Sequence, residues 1–215
     1  MNQAKLLARP LELYVLITTF AFTVQFDRNL DFSDIEKGSS TQLLKNLHTF
    51  LEVATDPGHI LGVILIICIC IALIRSYQGK ESRELNDSIA VYLSACWLAE
   101  LLAMNLLLVS PLKEPTLLLA ELLLFMPIVV IGFAWWYWRL NHSKGAQKKN
   151  PAISFSHEPI AIDYLFLSFG TLFKNNVTEH TFRSRTGKTI ALFNTVVSLD
   201  IIGLTLSRAV RLVFS

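Results

Sequence analysis

Two neighbouring stretches decide the architecture: DYLFLSFGT at residues 163–171 and TIALFNTVVSLDIIGLTLSRAVRLV at residues 189–213. The second is apolar over a length that crosses a bilayer, because a hydrocarbon core of about 30 Å takes roughly 17–25 residues of helix. The first sits in a shorter apolar run, 160–173, whose length is that of a re-entrant or interfacial segment. A polar loop from Lys174 to Lys188 separates them. A short half-helix, a polar turn and a full span together make a membrane hairpin.

Working outward, four more apolar blocks stand at residues 11–26, 58–74, 88–109 and 116–137. The chain is 53% hydrophobic and only 17% charged, against about 25% charged in a typical soluble domain. Lipid offers no partner to a free N–H or C=O, so such blocks must be helices. The expected fold is all-α: a polytopic bundle of five full spans plus one short helix, 160–173, which either re-enters or crosses as a sixth span. It reads as a single integral membrane domain over 1–215. Within it, 1–140 is a four-helix portion, 141–159 a cytoplasmic linker, and 160–215 the half-helix with the terminal span. The first block lacks a small-x-small cleavage site after Thr23 and reads as a retained anchor. Cys68, Cys70 and Cys96 fall inside spans, behave as small hydrophobes, and form no disulfide framework.

Basic residues set the orientation. One side receives nine: Lys5, Arg9, Arg75, Lys80, Arg83, Arg139, Lys144, Lys148 and Lys149. The other receives four: Arg28, Lys37, Lys45 and Lys113. The N-terminus is therefore expected in the cytoplasm and the protein in the inner membrane. The run Trp135-Trp136-Tyr137-Trp138 before Arg139 reads as an interfacial aromatic belt. In the outer loop, residues 41–54 place Leu43, Leu47, Phe50, Leu51 and Ala54 on one helical face, an amphipathic helix on the membrane or the bundle.

Ionisable groups at membrane depth are costly and mark either function or helix pairing. Glu100 lies mid-way along the third span, Glu121 one and a half turns into the fourth, and Asp200 at the centre of the fifth. At about 100° per residue, Ser207 and Arg211 fall within about 20° of Asp200, with Asn194 and Arg208 on flanking faces. This polar stripe is either an ion or proton path or a set of structural ion pairs. The structural reading carries the greater weight, since no second helix matches the stripe.

The C-terminal hairpin resembles the two-helix pore module of the potassium-channel superfamily. Residues 164–171 match its half-helix, residues 181–188 its turn, and Leu206-Ser207-Arg208-Ala209-Val210 the end of its inner helix. In the filter position stand Ser168, Gly170, Thr171, Asn175, Asn176 and Thr178, with no Gly-x-Gly. Potassium filters are rings of backbone carbonyls built on that pattern, so potassium selectivity is not implied. The hairpin also resembles a family of small polytopic bacterial membrane proteins that replace the filter with a Ser/Thr-rich sequence. Ser168-Phe169-Gly170-Thr171, Arg185-Thr186-Gly187-Lys188 and Ser207-Arg208-Ala209-Val210 carry that likeness. It implies fold and location, over about a quarter of the chain, and no activity.

No Walker loop, nucleophile elbow, zincin motif or cysteine pair occurs, and the five histidines are scattered. No enzyme activity, metal or cofactor is expected, and no nucleic-acid binding, because the basic residues follow the membrane boundary. The expected partners are the lipid bilayer and either further copies of the chain or other membrane subunits. The two functional expectations are an oligomeric permeation module with a channel-like core and, alternatively, an accessory or assembly subunit of a larger membrane complex.

Overall fold

The computed structural model of the chain describes residues 11–29, 39–80, 82–109, 115–142, 151–173 and 180–214. In chain order the elements are α1 (Leu11–Asn29), α2 (Ser39–Thr55), α3 (Ile60–Tyr77), α4 (Arg83–Val109), α5 (Pro115–Asn141), β1 (Ile153–Phe155), α6 (Ala161–Phe173), β2 (His180–Phe182) and α7 (Arg185–Phe214). Each apolar block is a helix. Three helices among the described residues are long and apolar enough to cross a membrane, within Gln42–Tyr77, Arg83–Leu107 and Arg185–Ser207. The chain divides into two compact units, residues 1–128 with 211–215 and residues 129–210. The division falls inside α5 beside Pro127, where a missing N–H and the crowding of the ring interrupt the helical ladder.

In the first unit α4 packs against α1, α2 and α3, and α2 also touches α1 and α3. Leu13 and Leu16 of α1, Leu44 and Leu51 of α2, Leu65 and Ile69 of α3, and Leu93 and Trp97 of α4 are buried. The inward positions of α3 are Gly62, Leu65, Ile69, Ala72 and Ser76. Apart from Ile69, most of its isoleucines point outward, with Ile60, Ile64, Ile67, Ile71 and Ile74 all exposed. A soluble bundle does the reverse.

The buried ridge of α2 is not quite the one the sequence indicates. Leu51 and Ala54 are enclosed as expected, but Leu44 takes the inward place and Leu43 and Phe50 are half exposed. The helix docks through this ridge on α4, where Leu51 and Ala54 meet Cys96 and the Tyr92 hydroxyl donates to the Ala54 carbonyl at 3.0 Å.

Residues 56–59 turn α2 into α3. The Asp56 carboxylate accepts from the Gly58 N–H at 3.1 Å, and the Asp56 carbonyl accepts from the His59 N–H. Gly62 passes so close that a Cβ there would collide with the Asp56 carbonyl. The obstacle is backbone, which cannot rotate away. Gly62→Ala is therefore expected to cost about 1–3 kcal/mol, read as a lower melting temperature of the purified protein. At its other end α3 closes with Gly79 at φ 73°. The Gly79 and Lys80 N–H groups reach back to the Ser76 and Arg75 carbonyls, the paired bonds of a Schellman stop.

In the second unit β1 and β2 pair antiparallel, with Ile153 opposite Phe182 and Phe155 opposite His180. These strands flank α6 in sequence, so the chain leaving α6 returns beside the chain that enters it. The Ala152 carbonyl accepts from both the Arg183 and Ser184 N–H groups. The Ser184 hydroxyl then caps α7 by accepting from the Gly187 N–H at 2.9 Å. Helix α6 has 13 residues, about 20 Å at 1.5 Å per residue, short of a core of about 30 Å.

Candidate functional site

Polar side chains converge where α5, α6 and α7 meet within the second unit. Helix α5 presents Phe133, Tyr137 and Asn141 at four-residue intervals, all buried. Phe133 meets Phe193 of α7 edge-on at 5.9 Å. One turn on, the Asn194 amide donates to the Tyr137 hydroxyl at 3.1 Å and to the Ser168 carbonyl of α6 at 3.4 Å. The Ser198 hydroxyl donates to the Asn194 side-chain oxygen at 3.3 Å. Thr171 of α6 lies beside Tyr137, its hydroxyl donating to the Leu167 carbonyl at 2.8 Å. Asn194, Ser168, Ser198 and Tyr137 are each no more than 1% exposed. One group is left over: the Ser168 hydroxyl is buried with no hydrogen-bond partner among the described residues.

A second group fixes the entry to α6. The Asn141 side chain accepts from the Ile153 N–H at 3.0 Å and donates to the Tyr164 hydroxyl at 2.9 Å. Asp163 accepts from the Ile160 N–H at 2.8 Å, the reach-back half of a capping box. It also meets the His157 ring at 3.1 Å, with the Ser156 hydroxyl on the ring's other nitrogen at 3.4 Å. Tyr164 stands edge-on to Phe155 at 5.2 Å and to His142 at 6.2 Å. Burial pushes the Tyr164 phenol above its ordinary range, with the hydrogen bond from Asn141 opposing and nearby Asp163 reinforcing the shift.

These contacts bring together Asn194, Ser168 and Thr171 from the sequence-derived set, with Gly170 buried beside them on α6. Asp200 and Ser207 are only half-buried. The enclosed face of α7 is instead that of Asn194, Val197, Ser198, Ile201 and Leu204, roughly a quarter-turn from Asp200. Glu100 is fully enclosed, but within the first unit. Asn175, Asn176 and Thr178 lie outside the described residues, and so do the side chains of Glu121, Arg208 and Arg211.

The aromatic run is also divided. Trp135 and Tyr137 are buried while Trp136 and Trp138 are partly exposed, because successive residues point about 100° apart. Arg139 lies over the Trp135 ring at 5.7 Å. Tyr137, Asn141, Tyr164 and Ser198 are the site residues that sequence reasoning passed over. Their available signal was the four-residue spacing of hydrogen-bonding groups inside an otherwise apolar helix.

The chemistry on offer is that of hydroxyls and amides, which order water, pass hydrogen bonds and hold helices together. Among the described residues no group of histidine, cysteine or carboxylate side chains could hold a metal ion. No family model, curated protein or solved structure matches this chain.

Proposed function

We propose that the chain is a multi-pass inner-membrane protein whose α5–α6–α7 region is a channel-like module, permeating an ion, protons or a small solute as an oligomer. The observation that carries this is the inverted polarity of α6 and α7. Asp163, Tyr164, Ser168, Asn194 and Ser198 point inward, while Ile162, Phe166, Phe169, Leu192, Val196 and Leu199 are exposed. Large exposed apolar stripes on polar-centred helices fit lipid and not water. In this reading α1, α3, α4, α5 and α7 cross the bilayer with the N-terminus in the cytoplasm. Pairing of β1 with β2 supports a re-entrant α6, since a sixth span would carry the two strands to opposite sides.

The test is flux in reconstituted liposomes, comparing the natural chain with Ser168→Ala. This hydroxyl has no partner to lose among the described residues, so its removal is expected to leave the stability unchanged to within about 0.5 kcal/mol, read from the melting temperature. If the ridge conducts, flux falls at unchanged stability. No flux above empty liposomes for protons or any common ion would sink the permeation reading.

One feature favours the alternative, an accessory or assembly subunit. The Asn194 amide is engaged at both ends, as in a ridge whose work is to hold helices. Mass spectrometry after gentle-detergent purification separates the two: a homo-oligomer alone speaks for the permeation module, and co-purified membrane subunits for the accessory role.

A further inference from the structure

One outward face of α7 runs without interruption from positive charge to apolar surface. Arg185 and Lys188 are exposed and three residues apart, hence on one side of the helix. The same face continues through Leu192, Val196, Leu199 and Leu206, exposed by 66%, 54%, 57% and 64%. Arg183 is also exposed and is tied beside this first turn by its N–H bond to the Ala152 carbonyl. None of the three cations enters an ion pair among the described residues. The first turn of a helix is where basic side chains gain least from their own backbone.

Water satisfies the cations but not the apolar strip, and a hydrocarbon tail does the opposite. An amphiphile with an anionic head and apolar tails meets both, in the order in which α7 presents them. We propose that this face of α7 binds an anionic phospholipid. Its headgroup phosphate sits at Arg183, Arg185 and Lys188, and its acyl chains lie along the face that begins at Leu192. Guanidinium groups match phosphate oxygens in pairs, and the segment Arg185–Ser207 is long and apolar enough to lie in a bilayer. The inference rests on the membrane reading of α7 given above.

The experiment places the full-length chain in nanodiscs of mixed phosphatidylcholine and phosphatidylglycerol and measures which lipid is retained on the protein. The natural chain is compared with the triple variant R183Q/R185Q/K188Q and with K45Q as a control on another element. Basic residues at a charged membrane surface each contribute about a fivefold preference. The triple variant is therefore expected to lose up to about a hundredfold of the preference for phosphatidylglycerol at low salt, with K45Q unchanged. R185Q and K188Q singly, each losing about fivefold, serve if the triple variant does not fold.

A triple variant that keeps the natural lipid preference would overturn the proposal. So would inorganic phosphate alone protecting the detergent-solubilised chain from heat as well as phosphatidylglycerol does, since the ligand would then be a free anion. Alkaline carbonate extraction is run separately. Release of the chain from membranes by carbonate would remove the membrane reading, and this inference with it.

Discussion

Replacing Asn194 with alanine is expected to cost about 3 kcal/mol or more and to be the most damaging single change in α7. The side chain makes three contacts at once, with the Tyr137 hydroxyl, the Ser168 carbonyl and the Ser198 hydroxyl. Truncation removes all three and strands buried groups; each buried polar atom left unsatisfied costs about 1–3 kcal/mol. The measurement is the melting temperature of the purified variant, set beside Tyr137→Phe and the double variant. If the amide and the phenol act as a pair, the double variant loses less than the two singles added together, by about 0.5–3 kcal/mol. Additive losses would mean that Asn194 acts through Ser168 and Ser198 alone. An Asn194→Ala variant as stable as the natural chain would remove this ridge as the centre of the second unit.

Asn141→Leu is expected to open the entry to α6. The natural side chain bridges two elements, accepting from the Ile153 N–H and donating to the buried Tyr164 phenol. Leucine fills a similar volume but leaves a buried backbone N–H without a partner, a loss of about 1–3 kcal/mol placed beside the β1–β2 pair. The damage should therefore be local. Limited proteolysis is expected to cut the variant between Asn141 and α6 faster than the natural chain, while the α2–α3 turn keeps its original rate. Cysteines placed at Ile153 and Phe182, opposite each other in the ladder, should also crosslink less readily in the variant. Uniformly faster cleavage throughout would point to global unfolding instead.

The helices were legible because lipid-length apolar runs leave the backbone no other option. Asn194 and Ser168 were legible as well, being polar residues inside such runs. What one helix alone does not reveal is which of its faces the rest of the protein covers. Charge drew attention to Asp200, and angular position to Ser207 beside it, yet the amide and hydroxyl of Asn194 and Ser198 take the interior. A carboxylate at a partly open position keeps access to other partners, whereas a neutral amide can be enclosed at small cost once its bonds are made. The tryptophan-rich end of α5 hid Tyr137 in the same way, since a run whose composition reads as an interfacial belt gives no sign of which ring turns inward. The strands were invisible for another reason. Three residues carry too little alternation to signal a strand, and the pairing joins segments separated by the whole of α6.

That separation has a consequence for assembly. The β1–β2 contact closes a long loop and cannot be complete until Phe182 has been synthesised, and the Ala152 carbonyl then waits for the N–H groups of Arg183 and Ser184. Until then α6 holds its local cap from Asp163 and the Asn141–Tyr164 bond at its entry, with its outer isoleucine and phenylalanine side chains unsheltered. Closing such a loop carries an entropic cost that grows only slowly with its length, so insertions or deletions within residues 174–179 should matter less to assembly than loss of the Ser184 hydroxyl that caps α7. A nascent chain that stops before Phe182 has made α6 without the latch that holds it, and surveillance of unfinished chains would meet an apolar helix tethered at one end.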